Sequence, residues 1–181
     1  MKEVIQNIQT QLAKVSKLKY VDEDWGQLDY YSPNHPVKWP CALIDIQAAQ
    51  FEDKGWDRRT NSYPQTGEAM VSITVANLKL TNTSKLAPQS QKDAGWSIWE
   101  LIEEAHQMVQ GFRPHTNAGA LIRQGLRRTK RDDGVQEYTL LYSFGITDDG
   151  LPPPPPVDPP DEDPPAEDPP IEEPPEGEEG N

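Results

Sequence analysis

The stretch Ala120–Thr147, ALIRQGLRRTKRDDGVQEYTLLYSFGIT, decides how this chain is expected to fold. Its second half alternates. Tyr138, Leu140, Tyr142, Phe144 and Ile146 fall on one side of an extended chain, and Glu137, Thr139, Leu141 and Ser143 on the other. A period of two is the mark of a strand with one buried face. Ala120–Arg131 reads as its partner. Asp132-Asp133-Gly134 lies between them, a turn in which Gly134 can take positive φ. The pair is an antiparallel hairpin, and five bases, Arg123, Arg127, Arg128, Lys130 and Arg131, precede its turn.

Upstream of it, WSIWELIEEAHQMVQGF (96–112) reads as a helix. Ile98, Leu101, Ile102, Ala105, Met108, Val109 and Phe112 form one broad apolar face. Ser97 with Glu100 three residues on predicts a capping box at its start, and Gly111 with Pro114 predicts its end. Before it, EAMVSITVANLKL (68–80) alternates until Leu78 and Leu80 break the phase, which predicts a bulge near Asn77. CALIDIQ (41–47) reads as a short buried strand, and 50–67, holding Gly55, Asn61, Pro64 and Gly67, as a long loop. Residues 2–19 carry Val4, Ile5, Ile8, Leu12 and Val15 at helical steps, with Lys14, Lys17 and Lys19 toward the C-terminal end. Tyr20–Trp39 is polar and aromatic, punctuated by Pro33 and Pro36, and 81–95 is a polar connection. No strand–helix–strand repeat requires a parallel sheet. The expected class is α+β: a small antiparallel or mixed sheet with two helices packed on one face.

Composition would mislead if taken whole. The net charge of −13 lies entirely in residues 148–181, which hold 13 acids, no base and 13 of the 19 prolines. Of the 30 acids, 17 remain in residues 1–147, against 17 Lys and Arg, so that body is formally neutral. From Asp158 on, an acid precedes each Pro-Pro pair and the pairs recur every five residues. Such a sequence favours extended polyproline II and has too few apolar residues for a core. At about 3.1 Å per residue it could reach on the order of 90 Å. The expected division is a folded body, 1–147, and a disordered acidic polyproline tail, 148–181, acting as a solubilising spacer or as a ligand for a proline-binding groove or basic surface. Deleting 151–181 should leave cooperative thermal unfolding intact; a truncated chain that melts without cooperativity would overturn this division.

Candidate chemistry is sparse. His35, His106 and His115 lack metal-ligand spacing, so no metal and no cofactor is expected. Cys41, the single cysteine, sits in an apolar run and reads as a structural thiol. Glu100, Glu103 and Glu104 read as the solvated face of their helix. No phosphate-cradling glycine loop or nucleophile elbow occurs, and no enzymatic activity is expected. Nothing resembles a signal peptide or an apolar membrane span, so no membrane partner is expected. Two sites remain. The bases Arg123, Arg127, Arg128, Lys130 and Arg131 suit either an edge strand that resists unwanted pairing or contact with phosphate or an acidic neighbour. Trp56, with Arg58 and Arg59, lies in the 50–67 loop; there, as for Trp25, packing within the chain and use at an interface are both open.

The order of elements carries a resemblance. An amphipathic helix leads to VKWPCALIDI, a loop to GEAMVSITVANLKL, then WSIWELIEEAHQMVQGF and the closing hairpin. This resembles the tail-terminator and tail-completion proteins of long-tailed bacteriophages across nearly all of residues 1–147. The tail has no counterpart in that pattern. The resemblance implies a virion structural protein, made in the host cytoplasm. It would form a homo-oligomeric ring, typically a hexamer, that caps the tail tube protein, faces the neck or head-completion protein and lets DNA pass without reading its sequence. The loops 50–67 and 81–95 would reach the neighbouring layers. Reversing charge at Arg127, Arg128 and Arg131 would impair assembly without unfolding the body. A head–tail connector subunit, or a binding module presenting the acidic proline-rich tail to a host partner, are the alternatives.

Overall fold

A computed structural model describes residues 1–30, 37–78 and 82–151. Its elements in order are α1 (Lys2–Leu12), β1 (Tyr20–Glu23), a single 3-10 turn (Gln27–Asp29), β2 (Cys41–Asp53), β3 (Gln65–Leu78), α2 (Gln89–Val109), β4 (Ile122–Thr129) and β5 (Val135–Asp148). The five strands form one mixed sheet in the order β1-β2-β3-β5-β4. β1 runs parallel to β2, and every other pairing is antiparallel. The fold is α+β.

Both helices cover the same face of the sheet. The alternation in β5 puts Tyr138, Leu140, Tyr142 and Phe144 on that face, level with Val75, Ile73, Val71 and Ala69 of β3. These meet Val4, Ile8 and Leu12 of α1 and Ile98, Leu101, Ile102, Ala105 and Val109 of α2 in one core. The helical spacing supplies one apolar stripe per helix and the period of two supplies the sheet face, so the layers close without a second sheet. A smaller cluster lies on the opposite face, where Cys41, Leu43 and Ala76 are buried under Leu28 and Val37. The segment that follows β1 makes this cover.

Several expectations change. The 50–67 loop is mostly strand: β2 runs on to Asp53 and β3 begins at Gln65, which leaves 54–64 as the connection. Its glycines and polar residues are tolerated because this half of the hairpin stands clear of the core and is exposed. β3 pairs with β5 without interruption from Gln65 to Leu78, so there is no bulge at Asn77; the irregularities lie at Ile46/Ala48 in β2 and Arg123/Gly125 in β4. α2 begins two turns earlier than the capping box predicted. Ser97 is inside the helix, its hydroxyl donating to the Ala94 carbonyl at 2.7 Å, while Pro88 stands at the N-terminus. α1 stops at Leu12, and Lys14, Lys17 and Lys19 follow it in a loop. The Tyr20–Trp39 stretch holds a fifth strand, β1, not foreseen because four residues give no periodicity. Pro33, His35 and Pro36, Leu80, and the tail from 152 lie outside the described residues. Asp148, the first residue of the acid-rich segment, is the last of β5.

Candidate functional site

The five bases of the hairpin divide into two kinds. β4 is an edge strand, paired only to β5. Arg123, Arg127, Arg128 and Lys130 are exposed along or just beyond it, and among the described residues Arg123, Arg127 and Lys130 form no ion pair. Arg128 lies over the Tyr138 ring, 5.6 Å from its centre, and Tyr138 in turn packs on Trp99 at 4.8 Å. Ile122 and Leu126, nearly half exposed, sit among these cations. The edge is basic with two apolar points.

Arg131 is different. Its side chain is 10% exposed, and its guanidinium donates to Asp133 from Nε (3.0 Å) and Nη2 (2.8 Å). Nη1 donates to Asp29 (2.7 Å) and Glu137 (3.1 Å), and Nη2 reaches the Leu28 carbonyl at 2.9 Å. Its hydrogen bonds to the Asp133 carboxylate, against the cost of burial, raise its pKa beyond the ordinary arginine value. Arg131 therefore clasps the 3-10 turn to the β4–β5 hairpin. Asp133 and Glu137 lie near in sequence and could have been suspected; Asp29, a hundred residues away, carries no local signal.

Trp56, Arg58 and Arg59 occupy the tip of the β2–β3 hairpin. The connection folds back on itself through a bridge between Asp57 and Ser62, with Asn61 at φ 54°. Trp56 and Tyr63 pack against each other at 4.9 Å, yet Trp56 remains 47% and Tyr63 59% exposed. Arg58 and Arg59 are exposed beside them. Tyr63 was not anticipated. β3 and β5 separate β2 from β4, so the tip and the basic edge are two sites.

The opposite margin of the sheet is acidic. Glu23, Asp24, Asp45, Glu52 and Asp53 follow one another along β1 and the outer side of β2, without an ion pair among the described residues. Partial burial, and then the charge of Asp24, raises the Asp45 pKa. No residue pattern singled these acids out, because 23–24 and 45–53 meet only in the fold.

The remaining candidates have internal roles. Cys41 is fully buried, and loss of hydration pushes its pKa up to about 12, so it is a thiol at neutral pH. Glu100 and Glu104 accept from Lys17 at 3.2 and 2.6 Å, exposed pairs that join the loop after α1 to α2. His115 lies 3.0 Å from Glu3. His106 Nδ1 lies 3.0 Å from the Tyr142 hydroxyl. Burial, and then the charge of Arg123, lowers the His106 pKa. The folded chain thus binds this proton less readily than the unfolded chain. The resulting stability is full above the ordinary histidine value and declines as pH falls through the lowered one. Between pH 7.5 and 5.5, His106→Gln should lose less melting temperature than the wild type; equal losses would show that His106 does not contribute. Among the described residues, no group of three or more His, Cys, Asp or Glu is placed to hold a metal, and no helix is long and apolar enough to cross a membrane.

No protein-family model and no curated protein matches this chain. Among solved structures, it is similar to a chain from the virion of a native gene transfer agent particle. The TM-score is 0.35 and the identity 8%, over 78% of this chain and 92% of that one. A likeness of that degree is no basis for a function.

Proposed function

We propose that this chain is a structural subunit of a phage-like virion that closes with copies of itself into a ring at the end of a tail tube. The ring, a hexamer in this reading, caps the tube protein and offers its other face to the neck. DNA passes through it without sequence-specific contact. The order of elements supports this reading, and one observation carries it: the outer half of β2 and the tip of the β2–β3 hairpin are exposed to solvent. Gln47–Asp53 are exposed, and the tip presents Trp56, Tyr63, Arg58 and Arg59 to solvent. An aromatic and cationic tip on a stiff arm suits contact with an adjoining layer, since such residues concentrate at protein interfaces. No catalytic role is proposed. A head–tail connector subunit would use the same arm, and the tube-binding arm of the experiment separates the two.

Native mass spectrometry with negative-stain imaging tests the proposal. The expected result is a closed ring of identical subunits far above the 20.4 kDa monomer, which binds the ends of purified tail tubes. A chain that stays monomeric at high concentration would overturn it.

A further inference from the structure

The two lateral edges of the sheet match each other. β4 has a strand on one side only; on its other side Arg123 N–H donates to Gln110 Oε1 at 3.1 Å, and Gln124–Thr129 has no strand beside it among the described residues. At the other margin, β1 pairs only with Cys41–Ile44, so β2 has no strand on that side from Asp45 to Asp53 among the described residues. Two open rows of backbone donors and acceptors result, a template for strand addition.

Their charges are opposite. Arg123, Arg127, Arg128 and Lys130 mark the β4 edge; Asp24, Asp45, Glu52 and Asp53 mark the β2 edge. The directions also agree. β2–β3, β3–β5 and β5–β4 are each antiparallel, so β4 runs opposite to β2. A copy placed head to tail therefore presents β4 antiparallel to the free β2 edge; Arg127 shares the face of Asp45 and Glu52, away from the helices, and Arg123 shares the helix face with Asp53.

We propose that a second copy of this chain adds its β4 edge to the Asp45–Asp53 edge of β2, antiparallel, with the arginines of one copy against the acids of the next. This rests on the reading that copies assemble with one another, and it names the surfaces. Pairing β4 with β4 would oppose arginines, and pairing β2 with β2 would oppose acids, so charge selects the unlike edges. The contact is heterologous, which closes a ring or extends a filament but does not stop at a dimer. Through the ladders, β4 stands level with Cys41–Ala48, whereas the free edge spans Asp45–Asp53. Each copy is thus stepped along the strand direction, which tilts the strands of a closed sheet.

Sedimentation velocity on the full chain and three variants tests this. Arg123→Glu/Arg127→Glu and Asp45→Lys/Glu52→Lys should each fold but self-associate about 100-fold more weakly, since each opposes like charges. Mixed together they should restore the assembly in equal proportions, and a chain carrying all four substitutions should assemble alone. If the wild type assembles and the paired variants do so equally well, the edge contact is wrong while the assembly reading stands. The edge contact is also wrong if neither the mixture nor the fourfold chain recovers. A wild type that stays monomeric overturns both.

Discussion

Arg131→Met should melt about 10 °C below the wild type, the largest effect of any charged-residue change in the described part of the chain. The substitution keeps most of the buried stem and removes the fork. Asp133 and Glu137, with side chains only 20% and 12% exposed, then lose the cation that faces them, and the Leu28 carbonyl loses the donor Nη2. Breaking a fully buried pair on one side costs about 3–5 kcal/mol, because the remaining charge stays desolvated. This network is partly buried, which puts the loss at the low end, about 3 kcal/mol. At roughly 2–4 °C per kcal/mol for a domain of this size, the shift is about 10 °C. Arg127→Met, on the exposed edge, should change stability by no more than about 0.5 kcal/mol. The acid limb gives a second reading. The hydrogen bond from Arg131 lowers the Asp133 pKa, so this stability is present above the ordinary aspartate value and lost as pH falls through the lowered one. The variant should lack that part of the acid loss. If Arg131→Met and Arg127→Met melt together, Arg131 is not a clasp. The same geometry removes Arg131 from any charge reversal meant to probe assembly without unfolding; Arg123, Arg127, Arg128 and Lys130 remain available for it.

Gly67→Val should cost about 2–3 kcal/mol and loosen the hairpin arm ahead of the core. A Cβ at position 67 would stand 2.0 Å from the Gln50 carbonyl oxygen and 3.1 Å from the Phe51 Cα. Both are backbone atoms of the paired strand, so no rotamer relieves the clash, and β2 and β3 must separate where Phe51 faces Gly67. Hydrogen exchange should quicken at the Gln50–Asp53 and Gln65–Glu68 amides, while those of α2 stay protected. Gly125 is the control, since an added Cβ there meets nothing within 4 Å, and Gly125→Ala should be well tolerated. Unchanged exchange along the arm in Gly67→Val would mean that the strands do not approach so closely.

Where the sequence was legible, a periodic pattern was long enough to mark a buried face. The alternation from Tyr138 to Ile146, that from Ala69 to Val75, and the stripe from Ile98 to Val109 each define a side that must leave water. The two helices, the closing hairpin and the α+β class follow from them. Elements without a buried face gave no such signal. The outer half of β2, from Gln47 to Asp53, is exposed on both sides, so its backbone pairing to β3, and not its side chains, makes it a strand. The capping box at Ser97 failed for the opposite reason: a local hydrogen-bonding pattern can form a helix start, but the polar turns before it continued the same helix.

The basic residues show the same limit. By sequence alone, Arg123, Arg127, Arg128, Lys130 and Arg131 are one run ahead of a turn, because charge and position are all that a sequence records. The tertiary structure divided them. Asp29 reaches the hairpin from across the chain and takes Arg131 into the fold, while the other four are left along an open edge. The acids that mirror them, Asp24 and Asp45 among them, come together only when β1 lies parallel to β2. Burial faces are set by neighbours three or four residues away, and so are written locally. Whether a given charge meets a partner depends on chain segments a hundred residues apart, and that only the packed sheet decides.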